Sequence, residues 1–280
     1  MKWQGRRGSR NIEDRRGMSA GRVGGVGGIG VVAVLLIGYF FGIDVTPLLQ
    51  EGGSEPGTPV ELTAEDVAAG EFVSVTLADT EEVWAQVFRD QVGRAYRPAT
   101  LVLFKDVTQS PCGGASGATG PFYCPADRKV YLDTAFFTTL EQRLGAAGDF
   151  AAAYVVAHEI GHHVQHELGI LGQAGEQRAA MSEADSNAVS VRVELQADCF
   201  AGIWAREAQA RFGSISAADL EEAVNAARQI GDDTLQRNAG RRPMPHTFTH
   251  GTSAQRSDWF ERGYQTGDMA QCDTFAASRL

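Results

Sequence analysis

The chain is poor in the residues that several common functions require. Its 280 residues include only four cysteines and six histidines, and no two cysteines have the CxxC spacing of thiolate metal sites. The glycine-rich segment between Cys112 and Cys124 contains neither GxGxxG nor GxxxxGKS/T, so its glycines do not indicate a phosphate-binding loop. The formal net charge is −10, which repels a phosphate backbone. The composition therefore argues against binding of nucleic acid.

Positive charge is concentrated at the N-terminus. Residues 1–22 carry seven basic and two acidic side chains, and residues 23–43 are then uncharged over 21 positions. About 20 apolar residues suffice to cross a membrane, and basic residues before such a segment favour a cytoplasmic N-terminus. A cleaved signal peptide has the same order of segments, but no small-x-small cleavage site follows. We therefore expect a basic cytoplasmic tail at 1–22, a single-pass anchor in the cytoplasmic (inner) membrane at 23–43, and a periplasmic remainder.

Beyond the expected anchor, residues 44–70 are rich in Pro, Gly and Glu and are typical of a linker. Residues 71–280 then form the expected domain, which is α+β, predominantly helical with a small sheet. Its first helix is predicted to begin at Asp79 or Thr80. Strands are predicted at Ala99–Asp106 and Arg128–Asp133. Later helices are predicted after Thr134, across the histidine-rich segment, from about Ser182, and after the capping signals at Ser216 and Thr252.

The four cysteines form an even set, which disulfides can use outside the cytoplasm. Cys112 and Cys124 bracket a short glycine-rich segment and are the favoured local pair. That pairing would leave Cys199 with Cys272. Free buried thiols are the alternative.

The segment AYVVAHEIGHHVQHELG, residues 153–169, holds four of the six histidines. His158, Glu159 and His162 spell HExxH, and positions four apart lie on one face of a helix, so both imidazoles can reach one ion. Glu159 is then placed to take a proton from a water, as the motif implies in zinc hydrolases. We expect one catalytic Zn²⁺. His163 and His166 lie on neighbouring faces and are expected to be hydrogen-bonding or solvated residues.

Catalytic zinc usually has three protein ligands and an open fourth position, so one ligand remains to be found. The pattern HExxHxxGxxH fails, because the position of its third histidine is occupied by Leu168. Glu194 and Asp198, four residues apart on a predicted helix, are the best candidates. One acid would complete the zinc site and the other would accept the second N–H of a ligand histidine. Glu183 and Asp185 are poorer candidates in a more polar stretch.

Peptide hydrolysis also needs a donor to the oxyanion that forms on the carbonyl. His250 is the first choice, with Arg256 behind it, and Tyr131 or Tyr264 are the alternatives. The strand around residues 130–132 is expected to lie along the cleft and to hydrogen-bond an extended peptide.

Five strings carry a family resemblance: GPFYCPADRKVYLD, GDFAAAYVVAHEIGHHVQ, ELQADCFAGIWA, IGDDTLQ and FTHGTSAQRSDWF. HExxH with a later ExxxD resembles the gluzincin arrangement, and the strings resemble the bacterial putative neutral zinc metallopeptidase family over about residues 1–20 and 71–277. The resemblance implies a zincin-like fold, zinc on His158, His162 and Glu194, and Glu159 as the catalytic base.

The leading hypothesis is therefore a membrane-anchored, extracytoplasmic zinc metallopeptidase that acts on peptide or protein substrates. One alternative is a zinc-binding envelope scaffold, in which His166 or His250 would close the metal site as a fourth ligand. A zinc amidase acting on cell-wall material would use the same residues. The sequence does not indicate an oligomeric state.

Overall fold

Two small sheets are present in the computed structural model, which describes residues 1–17, 61–116 and 120–280. The larger sheet has the strand order β1-β2-β6-β5; β1, β2 and β6 run parallel, and β5 runs antiparallel to β6. The central strands β2 and β6 are almost wholly buried, which explains their continuous apolar runs. The smaller sheet is the hairpin β3-β4. The strands are β1 (Ile12–Asp14), β2 (Thr100–Phe104), β3 (Val107–Ser110), β4 (Gly113–Ser116), β5 (Phe122–Cys124) and β6 (Lys129–Asp133).

Helices make up most of the described chain after β6. The capping signals at Ser216 and Thr252 are confirmed as capping boxes with Asp219 and Gln255. The α-helices are α1 (Ala64–Val87, continued by a π-helical turn at Phe88–Val92), α2 (Ala135–Gln142), α3 (Asp149–Glu167), α4 (Ile170–Ala179), α5 (Glu183–Phe212), α6 (Ala217–Gln229), α7 (Asp232–Asn238) and α8 (Ser253–Thr266), with short 3-10 turns at Pro245–Thr247 and Met269–Cys272.

Helices α3, α5 and α8 pack closely enough to exclude side chains at three points. A Cβ at Gly161 of α3 would lie 2.9 Å from the backbone oxygen of Ala197 in α5. Cβ atoms at Gly202 and Gly263 would collide with the backbones of α8 and α5, respectively. Glycine at these positions lets the three helix axes approach, and this brings the polar side chains of their facing turns together.

The first helix of the domain begins earlier than predicted. It starts after Thr63, whose side chain forms a capping box with Asp66, so α1 lies partly within the expected linker. Asp79 and Thr80, the predicted cap, lie in the middle of α1 and are buried. The prediction of a helix start there is therefore wrong, because the acidic first turn that suggested it is an internal, ion-paired turn.

The expected fold class requires correction. The described structure is mixed, with helices and two small sheets, rather than one small sheet preceded by a transmembrane helix. Within residues 1–17, 61–116 and 120–280, none of the helices combines the length and apolar character that crossing a membrane requires. The anchor predicted at 23–43 lies outside the described residues.

The expected single-pass localisation also requires correction, because the basic N-terminal residues belong to the folded domain. Strand β1 pairs in parallel with β2, with Ile12 opposite Leu101. Arg6 forms two hydrogen bonds with the buried carboxylate of Asp79 in α1, at 2.6 and 2.7 Å. A single passage would leave the tail and the domain on opposite sides of a membrane, which these contacts contradict. Arg6 and Arg7 are paired with Asp79 and Glu82 of α1.

Both disulfides have the favoured pairing, and no described cysteine is free. Cys112–Cys124 closes the end of the β3-β4 hairpin onto β5. Cys199–Cys272 joins α5 to the last 3-10 turn, 73 residues away. This second bridge lies next to Asp198 in the sequence, so it fixes the C-terminal segment against the part of α5 that faces α3.

Candidate metal centre

His158 and His162 of α3 and Glu194 of α5 form a candidate metal-binding group that the structure brings together. Their candidate ligand atoms all lie within 4.8 Å of one another, and no other group of three or more His, Cys, Asp or Glu with such geometry is found in the described chain. The histidines are four residues apart, so both rings leave α3 on the side that faces α5.

The spacing of these donor atoms fits a zinc ion. Nε2 of His158 is 3.1 Å from Oε2 of Glu194, and Nε2 of His162 is 3.5 Å from its Oε1. Tetrahedral zinc with bonds of about 2.0–2.1 Å separates its ligands by roughly 3.4 Å. Two imidazoles and one carboxylate are also donors that zinc prefers. The residues therefore fit the ion that HExxH implies.

Asp198 lies behind His158, on the side away from Glu194. Its Oδ1 is 2.8 Å from Nδ1 of His158, and Nε and Nη2 of Arg256 donate to the same carboxylate at 2.8 and 3.0 Å. The hydroxyl of Tyr154, one turn before His158, also donates to Asp198. With Nδ1 held by Asp198, Nε2 of His158 faces Glu194, as the outer ring nitrogen of a metal-ligating histidine is typically held by a carboxylate.

These acids dominate the protonation of His158. Burial opposes its charged form, but Asp198 and Glu194 outweigh burial and raise the pKa of His158 to about 10. Burial also works against the charge of Asp198, yet Arg256 and His158 lower its pKa to about 2. A metal ion must displace the proton of His158, since only neutral imidazole is a ligand.

His162 is oriented by an amide rather than by a carboxylate. Its Nδ1 lies 2.9 Å from Oε1 of Gln165, and the amide nitrogen of Gln165 donates to the backbone oxygen of Val193 and to Gln196. Gln165 is fully buried. This chain of hydrogen bonds joins α3 to the turn of α5 that carries Glu194.

Glu159 lines the same cleft as the metal-binding group. Its side chain is buried, and its carboxylate makes no hydrogen bond or ion pair within the described residues. Burial raises the pKa of Glu159, and the neighbouring charges of His162 and His158 oppose that rise. A buried carboxylate without a hydrogen-bond partner, in the same cleft as a candidate metal site, is suited to accept a proton.

His250 also lines the cleft and is held there by Asp232. The carboxylate of Asp232 accepts the backbone N–H of His250 at 2.7 Å and lies 3.2 Å from its Nδ1. Burial lowers the pKa of His250, but Asp232 and Glu194 outweigh it and raise that pKa. With Nδ1 engaged, Nε2 makes no further contact in the described part of the chain. It is therefore free to donate to a ligand.

The cleft has a volume of about 640 Å³, within the range of about 300–1,000 Å³ typical of ligand sites. It is bounded by α2, α3, α7 and the edge strand β5. The expectation that residues 130–132 lie along it is wrong, because β6 is paired on both sides and only β5 reaches the cleft.

Several candidate residues lie away from this centre. The hydroxyls of Tyr131 and Tyr264 are bonded to Asp127 and Gln209, and neither tyrosine lines the cleft. His163 is buried between the hydroxyl of Tyr123 and the backbone oxygen of Arg97. The ring of His166 packs against Tyr123, and Glu183 and Asp185 lie in the first turn of α5, so these three residues are also away from the centre.

Tyr154, Gln165 and Asp232 contact the site residues but were not foreseen. Tyr154 lies four residues before His158 and Gln165 three after His162, so helical spacing alone indicated that they share a face with the ligands. No local spacing indicates Asp232, because it lies in α7 whereas His250, which it contacts, lies in the segment before α8.

The comparisons with known proteins agree with a zinc site. A family model described as putative neutral zinc metallopeptidase matches residues 1–275. The chain is 44% identical over 288 residues to "Uncharacterized protein YpfJ" of Escherichia coli K12, covering 99% of this chain and 100% of that protein. It is 42% identical over 235 residues to "Uncharacterized protein Rv2575" of Mycobacterium tuberculosis, covering 80% and 78%. No solved structure matches.

Proposed function

The chain belongs to the putative neutral zinc metallopeptidase family, and we propose that it hydrolyses peptide bonds with one zinc ion held by His158, His162 and Glu194. The observation that carries the proposal is the pairing of a three-residue metal group with the unpartnered carboxylate of Glu159 in one cleft. Three protein ligands leave a coordination position open, as catalytic zinc requires.

Zinc bound there would supply Lewis-acid chemistry, which polarises a carbonyl group and makes water more acidic. Glu159 takes a proton from the water whose oxygen attacks the peptide carbonyl carbon. It then delivers that proton to the departing nitrogen as the C–N bond breaks, which leaves one carboxylic acid and one amine. Its buried position supports both roles, because a raised pKa brings a carboxylate closer to the pH at which it must accept and release a proton.

His250 is proposed to stabilise the negative charge that develops on the carbonyl oxygen. Asp232 fixes its ring through Nδ1 and favours the protonated form, so Nε2–H can donate into the cleft. Arg256 is less suited to direct contact, since its guanidinium is buried and bonded to Asp198. We assign Arg256 and Asp198 to positioning of His158.

The edge strand β5 is the proposed binding site for the peptide backbone. Residues 120–123 line the cleft, and β5 is paired only with β6 in the described sheet. An extended peptide can add to such an edge through main-chain hydrogen bonds. The contact of His163 with Tyr123 would hold this strand against α3.

The alternative of a structural zinc is disfavoured by the same geometry. Such zinc normally has four protein ligands, whereas neither His166 nor His250 joins the metal group. An amidase acting on cell-wall material would use the same three ligands and is kept as an arm of the experiment.

The experiment incubates the purified full chain with mixed peptides, envelope proteins and cell-wall fragments, and identifies products by mass spectrometry. Peptide cleavage that is lost with a chelator and restored by zinc supports the proposal. Glu194→Ala should lose both zinc and cleavage, whereas the exposed control Glu176→Ala in α4 should keep both. If zinc-loaded protein leaves every peptide intact, the proposal is wrong, and cleavage of cell-wall fragments alone would favour the amidase.

A further inference from the structure

One wall of the cleft is formed by one face of α2 and the residues at its end. Phe136, Thr139 and Arg143 all line the cleft, and their spacing of three and four residues places them on one helical stripe. Leu144 follows Arg143 and lines the cleft as well. Arg143 therefore ends an otherwise uncharged wall.

Charged side chains in the rest of the described lining already have roles. The only two carboxylates are Glu159 and Glu194, which belong to the metal centre. Arg256 is 2% exposed and is neutralised by Asp198. The guanidinium of Arg143, by contrast, is exposed and contacts no acid, amide or aromatic ring within the described residues.

This arrangement suits a peptide that carries a negative charge. A guanidinium can bind one carboxylate through two parallel hydrogen bonds, and the apolar side chains of Phe122, Leu144 and Leu171 line the same cleft. A lysine or arginine side chain of a substrate would find no carboxylate in the described lining outside the metal centre. The net charge of −10 does not cancel the local attraction, since charges farther than about 8 Å are screened at physiological salt.

We propose that Arg143 selects substrates in which a carboxylate lies near the scissile bond, next to apolar side chains. This inference rests on the proposed peptidase function and assigns its substrate class. The carboxylate is either that of an Asp or Glu side chain or that of the peptide C-terminus, because a guanidinium binds both in the same way.

The test measures binding, so that its outcome does not depend on turnover. The zinc-loaded Glu159→Gln full chain is titrated with four fluorescent peptides of one apolar sequence: an internal Glu or Gln, each with a free or an amidated C-terminus. At least one carboxylate peptide should bind roughly tenfold more tightly than its amide counterpart. Which pair differs identifies the source of the carboxylate.

Arg143→Gln in the same background should abolish that difference, and Arg143→Glu should reverse it. Arg89→Gln removes the same charge from an exposed position outside the cleft and should leave the preference unchanged. Equal binding of all four peptides, absence of binding, or a preference that survives Arg143→Gln overturns the inference. Wild-type cleavage of the same peptides is recorded separately, so failure of the substrate assignment is distinguished from failure of the peptidase function.

Discussion

Replacement of Asp198 by Asn tests whether the buried network behind His158 supports both the fold and the metal. Asp198 is fully buried and its carboxylate faces Arg256, which is 2% exposed. The substitution keeps the shape but removes the negative charge, so a guanidinium is left buried without a counter-ion. Breaking a buried pair in this way costs about 3–5 kcal/mol.

The pKa of Asp198 gives a second, independent value for the free energy that this interaction contributes. Burial alone would raise it, but Arg256 and His158 hold it at about 2, against an ordinary value of 3.8. At 1.36 kcal/mol per pKa unit, this difference corresponds to roughly 2–3 kcal/mol in favour of the charged form. This contribution is present above pH 3.8 and is lost as the pH falls through about 2. The cost of breaking the buried pair and the pKa difference therefore both predict that Asp198→Asn lowers the free energy of unfolding by a few kcal/mol at neutral pH.

The assay is urea unfolding of the chelated protein, together with zinc affinity from competition with a chelator. Asp198→Asn should lower the free energy of unfolding by about 3 kcal/mol and weaken zinc binding roughly 10- to 100-fold. Adding Arg256→Met should recover most of the stability, because no lone charge remains, but should leave zinc binding weak. A loss below about 1 kcal/mol with unchanged zinc affinity, or a further loss of stability in the double variant, would show that Asp198 does not stabilise Arg256 and the metal site in this way.

Three further predictions concern other parts of the molecule. His250→Ala should lower kcat on peptides by about 10²-fold or more with zinc content unchanged, measured by steady-state kinetics; an unaltered kcat rules out the oxyanion role. Cys272→Ser should cost roughly 4 kcal/mol in urea unfolding and Cys124→Ser about 3 kcal/mol, because the Cys199–Cys272 bridge closes the longer loop; equal stability to the wild type would contradict this. Zinc binding at pH 7 should release protons, because the pKa of His158 is about 10 without metal, and the zinc affinity should therefore rise with pH. Calorimetry in buffers of different ionisation enthalpy measures the proton release. No release should be seen if His158 is already neutral.

The helical parts of the site could be predicted because they depend on local spacing. His158 and His162 needed only the four-residue repeat of a helix, and the same repeat paired Glu194 with Asp198. What spacing could not give is the distance between α3 and α5. That depends on small residues such as Gly161, whose contact with Ala197 is visible only in the folded chain.

The predicted location of the N-terminal residues is wrong because their partners in the fold are distant in the sequence. A run of arginines has the same composition whether it lies in solvent or on acids of a folded domain, and the partners of Arg6 and of β1 are 73 and about 90 positions away. A strand of three residues has no periodicity to detect. The start of α1 was different, because Thr63 and Asp66 have the capping-box spacing and could have been recognised.

The cleft wall formed by α2 could likewise be predicted only in part from the sequence. Phe136, Thr139 and Arg143 follow a helical stripe that the sequence contains, but nothing local distinguishes an arginine that pairs with an acid from one that does not. Only the folded arrangement shows that Arg143 lines a cleft whose two carboxylates, Glu159 and Glu194, belong to the metal centre.

The central claim is that Glu159 performs proton transfer beside a zinc ion held by three residues. Its most direct test is the turnover of the full-length Glu159→Gln variant on a cleavable peptide, at a verified content of one zinc per chain. Zinc content should be unchanged and kcat should fall by at least about 10²-fold, because the amide cannot accept a proton. Wild-type turnover by this variant at full zinc occupancy would exclude Glu159 as the catalytic base.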